Sequence, residues 1–382
     1  MIGFELSEEQ REWRDNAKNF AEKEIAPLSW KIDKGLTERF HWSLIEKMGS
    51  LGFMGLGIPK KYGGSELDTL TTAIVIEELA VGDAGIAFTC TLNSTNPVMI
   101  AGSEKQKDKF LPAVYDKKKP QLSAFALTEP NAGSDAAGLS TLARKEGSEY
   151  VLNGEKCFIS NGDMAGLYTI MATVDKKKGF GGITAFVVPG NAEGLIRGKI
   201  EDKMGFRSSH TGVLAMHDVR VPEENVLGKK GEGFLIAMKL LEVARVISCG
   251  AVALGLARRS FETTLKFLKD FADPKSLIGQ QAVSFDLADM MASIEASRLL
   301  VWKSCWMIDN GIPVGTMSGL TKVYTSDMAL EVSQQGMGLV GLHAYSKDYP
   351  LEKQVRDAKT LQIYEGTNQI NRMVAARGIL EG

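Results

Sequence analysis

Apolar residues recur at helical spacing from the start of the chain. Trp13, Ala17, Phe20, Ala21 and Ile25 fall on one face, behind Ser7-Glu8-Glu9-Gln10. That opening is a capping-box pattern, with Ser7 as N-cap and Gln10 three positions on. Pro27 is expected to stop the run, since proline cannot donate within a helix. Further helices are predicted over 43–48, 69–81 and 105–115, so the chain to about residue 120 reads as helix.

The pattern changes at Gln121. Short runs with alternating or β-rich composition cover 121–127, 150–152, 156–160, 167–173, 184–188, 195–199 and 212–219. Asn153-Gly154, Asn161-Gly162, Gly181-Gly182 and Pro189-Gly190 punctuate them, and Asn153-Gly154 reads as a hairpin turn. From Gly233 helical spacing returns, over 234–271, 281–310, 316–337 and 368–380. Small residues repeat through 244–257, as expected where helices pack closely. The predicted fold is α+β and multidomain. A helical domain (1–120) precedes a β-barrel-like middle domain (121–230) and an antiparallel four-helix bundle (231–382).

Composition narrows the function. The 382 residues carry 45 Lys+Arg against 47 Asp+Glu, a net charge of -2. Nothing there points to nucleic acid, and the Lys117–Lys119 and Lys176–Lys178 runs read as solvated loop tips. Cys90, Cys157, Cys249 and Cys305 form no CxxC pair, and His41, His210, His217 and His343 form no metal-ligand spacing. No metal site or disulfide framework is expected. The first residues, acidic and polar after Leu6, do not fit a secretory or transit signal. No apolar run is expected to reach membrane-spanning length, so a cytoplasmic protein without membrane insertion is the expectation.

Two short motifs mislead. Gly336-Met-Gly338-Leu-Val-Gly341 matches the GxGxxG dinucleotide pattern, but it follows a predicted helix and lacks βαβ context. Asn93-Ser94-Thr95 matches a glycosylation triplet that a cytoplasmic chain would not use. No Walker loop and no GxSxG elbow occur.

Two segments carry chemistry. In ALTEPNAGSD (126–135) a β-run ends in a loop rich in Thr, Gly and Ser, which suits a polar cofactor edge, a phosphate or an ordinary turn. In Gln362-Ile-Tyr364-Glu365-Gly366-Thr367-Asn-Gln369 one carboxylate sits between an aromatic residue and a glycine, before a helix capped by Thr367 or Asn368. Apolar surroundings would raise its pKa and suit it to act as a general base; a solvated glutamate is the other reading.

Together these segments resemble the acyl-CoA dehydrogenase family, of the short- or medium-chain, butyryl-CoA dehydrogenase-like kind. ALTEPNAGSD is similar to that family's first signature. GEKCFISNG (154–162) is similar to its GxKxWITNG, and Lys203-Met-Gly205 through Asp218-Val219 to Gly228 is similar to its KxGxR…DVxVPxxNxLG. Arg356-Asp357-Ala358-Lys359 and IYEGTNQ (363–369) resemble its closing segment. The resemblance implies FAD as cofactor and an acyl-CoA thioester as substrate. It implies an electron-transfer flavoprotein as electron acceptor.

It further implies Glu365 as catalytic base. The alternative base position of some members is here Ala244, ahead of Arg245. Phe125, Leu127, Thr128, Gly133, Ser134, Phe158, Ser160, Gln280, Gly366, Thr367 and Gln369 would contact the cofactor. Ser134, Arg245, Tyr364, Glu365 and Gly366 would contact substrate. An oxidase or reductase on the same fold, or a structural subunit, are the alternatives.

Two positions depart from the family pattern. Asp270 and Asp273 stand where R-x-x-F-G is usual, and Gly338-Leu-Val-Gly341-Leu-His-Ala replaces Q-x-x-G-G-x-G. A carboxylate beside a pyrophosphate repels where an arginine would attract. The expectation is therefore either a homotetramer or a heterotetramer with a related subunit. In the heterotetramer this chain would supply Glu365 and the flavin-ring contacts, and its partner the remainder.

Overall fold

The computed structural model describes residues 4–94, 96–271, 275 and 280–381. The first helical stretch comprises α1 (Glu8–Phe20), α2 (Ala26–Asp33), α3 (Trp42–Ser50), α4 (Thr69–Gly82), α5 (Ala84–Ser94), α6 (Pro97–Ala101) and α7 (Glu104–Val114). Ser7 and Gln10 close the expected capping box at 3.1 and 3.0 Å. Pro27, however, does not end the run. A π turn over Ala21–Ile25, closed by Ala26 N–H donating to Ala21 O, carries the axis into α2. Pro27 then occupies the first turn of α2, where its missing N–H costs least.

The middle region is one eight-stranded sheet: β1 (Ser123–Ala126), β2 (Leu142–Glu146), β3 (Glu149–Ser160), β4 (Leu167–Thr173), β5 (Ile183–Pro189), β6 (Leu195–Ile200), β7 (Thr211–Pro222) and β8 (Val226–Leu227). Its order is β6-β7-β3-β2-β4-β5-β8, with β1 parallel beside β4. Tyr150 and Leu152 from β3, Ile170 from β4, Phe186 from β5 and Leu214 from β7 meet in one core, so the two halves of the sheet close on each other.

Asn153-Gly154 is not a hairpin. The turn lies at Gly147-Ser148, between β2 and β3, where Glu146 faces Glu149. Asn153-Gly154 instead forms a bulge inside β3, where the register against β7 shifts between Leu152 and Gly154. Gly154 holds φ 148, and a Cβ there would lie 2.8 Å from Thr141 Cα, so glycine serves close approach rather than chain reversal. Asn153 and Asp218 exchange hydrogen bonds across the bulge at 2.9 and 3.0 Å.

The second helical stretch begins with α8 (Gly233–Ala244), which runs through a π segment (Arg245–Ala251) into α9 (Val252–Phe271). Then follow α10 (Gln281–Asp309), α11 (Gly315–Val340), α12 (Leu351–Leu361), which the sequence pattern does not reveal, and α13 (Asn368–Glu381). Contrary to expectation, the Gly233–Phe271 rod is long and apolar enough to cross a membrane. Its apolar window is 83% buried in the protein, as befits the central rod of a bundle.

Helices from both stretches share one core, in which Val75, Ile76 and Leu79 of α4 meet Val252 and Leu256 of α9. A Cβ on Gly255 would lie 2.3 Å from Glu77 O, so small residues let α9 approach α4. Gly336 and Gly338 lie in the last turns of α11, and Gly341 at φ 67 ends it. Glycines at a helix exit do not form a dinucleotide site, which needs a helix entry. Thr95 and Asp273 lie outside the described residues.

Candidate active site

Glu365 sits in the turn that joins α12 to α13. It holds φ 56 and Gly366 holds φ 82, so two successive residues adopt the left-handed conformation. Thr367 provides the cap: its Oγ1 accepts from Ile370 N–H at 3.3 Å. Asn368, the other candidate cap, is the first helical residue, and its side chain turns inward to Lys322 at 2.6 Å and Asp327 at 2.7 Å. Tyr364 anchors the near side of the turn. Its hydroxyl donates to Ser248 O in the π segment, and its ring meets Phe88 at 4.7 Å and Phe206 at 5.9 Å. Arg245, 4% exposed, reaches the turn from behind and donates Nε to Glu365 O at 3.3 Å.

The Glu365 side chain faces a cavity between the helices and the sheet. Phe125 of β1, Thr169 of β4 and Leu240 and Ala244 of α8 line the same space. No described residue donates a hydrogen bond to the carboxylate, and none accepts from the Glu365 backbone N–H. Burial pushes the carboxyl up to about 7, against the pull of Arg245 and then Lys322. A carboxylate so placed is half ionised near neutral pH and free to take a proton.

Across the cavity, the loop after β1 is fixed from beneath. Lys156 donates Nζ to Leu127 O at 3.1 Å, and Cys157 N–H donates to Thr128 O at 3.0 Å. Lys156 also pairs with Glu129 at 2.8 Å, with both side chains almost fully buried. Ser140 and Thr141 each give Glu129 a backbone and a hydroxyl hydrogen bond, between 2.5 and 2.9 Å. Burial alone would raise Glu129; Lys156 and these donors hold it down at about 2 instead.

Phe158 stands next to this loop, 63% exposed and held at φ 54. Ser160 pairs with Thr211 on β7, and Asn161 Nδ2 donates to Ser123 O at 3.0 Å, which ties the end of β3 to β1. Phe125 and Glu365 therefore share the cavity, with Leu127, Thr128, Phe158 and Ser160 on adjoining strand ends. Gly133 and Ser134 are exposed farther along the loop, Gln280 is exposed just before α10 and Gln369 on α13; none of the four lines the cavity. The sequence reading passes over Glu129, Lys156, Lys322 and Asn371. Lys156 and Glu129 lie within quoted motifs, but nothing in their spacing announces a buried pair.

Known proteins bear directly on this arrangement. The acyl-CoA dehydrogenase N-terminal, middle and C-terminal domain families match residues 7–118, 124–219 and 231–380. A short-chain-specific acyl-CoA dehydrogenase of Megasphaera elsdenii is 41% identical over 388 residues, spanning 99% of this chain and 100% of its own. The solved butyryl-CoA dehydrogenase of that organism superposes with a TM-score of 0.94 at 40% identity, over 99% of this chain and 100% of that one. A chain solved under the heading of the electron transferring flavoprotein of Acidaminococcus fermentans gives 0.94 at 40% identity, with both chains fully covered.

Proposed function

The chain belongs to the acyl-CoA dehydrogenase family, and from that premise we propose that Glu365 removes the α-proton of an acyl-CoA thioester while a hydride leaves the β-carbon. The enzyme is an FAD-dependent acyl-CoA dehydrogenase. The observation that carries the assignment of the base is a cavity-facing carboxylate with no hydrogen-bond donor among the described residues and a pKa near 7.

The chain's residues fit the cofactor. An aromatic side chain exposed at a left-handed backbone position, beside a loop pinned from below, is a platform for a planar ring. Leu127, Thr128, Phe158 and Ser160 would hold that ring. FAD, when bound, supplies the acceptor for the hydride. The Glu365 N–H, without a partner among the described residues, would donate to the thioester oxygen as negative charge builds there. The apolar wall from Phe125, Leu240 and Ala244 would exclude water and keep the base undersolvated. An electron-transfer flavoprotein then takes the electrons, a reading supported by the similarity to the Acidaminococcus fermentans chain.

The test is anaerobic titration of the FAD-loaded enzyme with short-chain acyl-CoA thioesters. The wild type is expected to bleach the flavin absorbance. Glu365→Gln is expected to keep its FAD and lose bleaching rate by roughly 10^2- to 10^4-fold. Bleaching at the normal rate in that variant overturns the assignment. Reoxidation by oxygen as fast as by an electron-transfer flavoprotein would favour an oxidase.

The heteromeric assembly is supported by the surroundings of two positions. Asp270 is exposed near the end of α9 and pairs with Lys266 at 2.5 Å. Gly338 lies on an open face of α11, with nothing within 4 Å of where a Cβ would stand. Neither offers a cation to a neighbouring cofactor's phosphates. The chain expressed alone is expected to bind less than one FAD per subunit; full, stable occupancy returns the homotetramer.

A further inference from the structure

We propose that Asn371 is a positioning residue for Glu365. Its side-chain amide holds the turn in the left-handed conformation that aims both the carboxylate and the Glu365 N–H at the cavity. This rests on the reading of Glu365 as the base.

The geometry is unusual for a helix entry. Asn371 Nδ2 donates to three successive carbonyls that precede or open α13: Glu365 O at 3.3 Å, Gly366 O at 2.7 Å and Thr367 O at 3.1 Å. An ordinary N-cap does the opposite, since its side-chain oxygen accepts from free N–H groups. That duty already belongs to Thr367. Asn371 is fully buried, and its Oδ1 has no partner among the described residues, so the residue is used for its donors.

What those donors hold is strained. A glutamate at φ 56 lies where a side chain on Cβ is disfavoured. Left unheld, the Glu365 peptide would relax to negative φ, and both the carboxylate and the N–H would change direction together. Arg245 secures the same carbonyl from the side of the π segment, so the turn is gripped between α13 and the Gly233–Phe271 rod. The amide also lies close against the turn: a Cβ on Gly366 would come within 3.2 Å of Asn371 Nδ2.

The experiment compares FAD-loaded wild type, Asn371→Asp, Asn371→Ala, Asn371→Gln and Glu365→Gln. Aspartate keeps the shape but removes the donors and sets an acceptor against three carbonyls; glutamine keeps the donors. Two readouts are taken. One is kcat and KM with a saturated short-chain thioester. The other is exchange of α-protons with deuterated water, on a thioester bearing sulfur in place of its β-carbon, which has no hydride to lose.

Asn371→Asp and Asn371→Ala are expected to keep their FAD and to lose about 10- to 100-fold in both kcat and exchange, with KM moving less than about threefold. Asn371→Gln is expected to recover most of the loss. If the aspartate and alanine variants stay within about twofold of wild type while Glu365→Gln is inactive, the inference fails and the base stands. If Glu365→Gln still exchanges normally, the reading of the base fails instead. Loss of FAD and a raised KM in every Asn371 variant, glutamine included, marks a merely structural role and also overturns it. Should the Asn371 variants not fold, Gly366→Ala crowds the same contact and is expected to give the same signature; wild-type exchange there overturns the proposal.

Discussion

Two glutamates of this protein, one in the middle sheet region and one between the last two helices, are treated in opposite ways. Glu129, under the loop of the middle domain, receives Lys156 and four further hydrogen bonds, and its pKa falls to about 2. Glu365, in the turn between α12 and α13, receives none on its carboxylate from the described residues, and its pKa climbs to about 7. Glu129 is 3% exposed and Glu365 is partly buried. What separates them is satisfaction: one burial is compensated and the other is not. The compensated carboxylate is permanently charged and therefore structural. The uncompensated one can exchange a proton near neutrality, and its turn is held by its backbone instead, through Arg245 and Asn371. On the proposed reading, reactivity here comes from leaving one charge unmet while fixing the turn around it.

The largest effect on folding should follow from unmatching the compensated pair. Lys156→Met leaves Glu129 buried without its cation, at about 3–5 kcal/mol. Chemical denaturation is expected to show that loss, together with reduced FAD occupancy, because Lys156 also holds Leu127 O. Glu365→Gln should by contrast cost no stability at pH 7 and gain some. If the two substitutions destabilise alike, the distinction between the glutamates is wrong.

The pH dependence of stability should separate them next. Glu129 has a folded pKa below its ordinary value, so its contribution is present above about 4.5 and is lost as pH falls from 4.5 towards 2. Glu365 has a folded pKa above its ordinary value. Its contribution is full below 4.5 and is lost as pH rises from 4.5 through about 7, at a size of about 3 kcal/mol. Melting temperature against pH in the wild type and in Glu365→Gln should therefore differ in slope between 4.5 and 7, with the variant relatively more stable at the upper end. Bleaching rate runs the other way, rising as Glu365 ionises. Parallel slopes in the two proteins would remove the raised pKa from the account.

The same contrast explains what could be read from sequence. β4 is predicted over its observed span because 167–173 is uniformly β-prone and buried along its length. The proposed base is legible because IYEGTNQ is a contiguous motif. The Asn153-Gly154 bulge is misread because a turn and a bulge ask the same freedom of glycine, and only Thr141, packed against it, distinguishes them. Pro27 is misread because the π turn that accommodates it leaves no mark in composition. Glu129 and Lys156 are 27 residues apart on separate segments, so nothing local announces that they pair. Asn371 is one turn into a helix whose spacing is otherwise ordinary. What escaped, in each case, is long-range or backbone-directed, and what was legible is local and written in side chains.

The smallest expected effect tests the back wall of the Glu365 site. Lys322 is fully buried on α11, and its ammonium donates to Asn368 Oδ1, a neutral partner. Burial pulls the Lys322 pKa down, and Glu365 is among the groups that oppose that pull. Around Glu365 the charged and titratable neighbours are Arg245 and Cys249 from the π segment, Lys322 from α11 and Tyr364 from its own turn; Asp327 stands beyond Asn368. Removing one of the two cations leaves burial less opposed, so the carboxyl should rise further. Lys322→Met is expected to move the midpoint of the bleaching rate against pH upward by roughly half to one unit, and Lys322→Arg to leave it near the wild-type position. An unmoved midpoint in Lys322→Met would mean that Arg245 alone opposes burial, and that the lysine serves only to hold Asn368 at the start of α13.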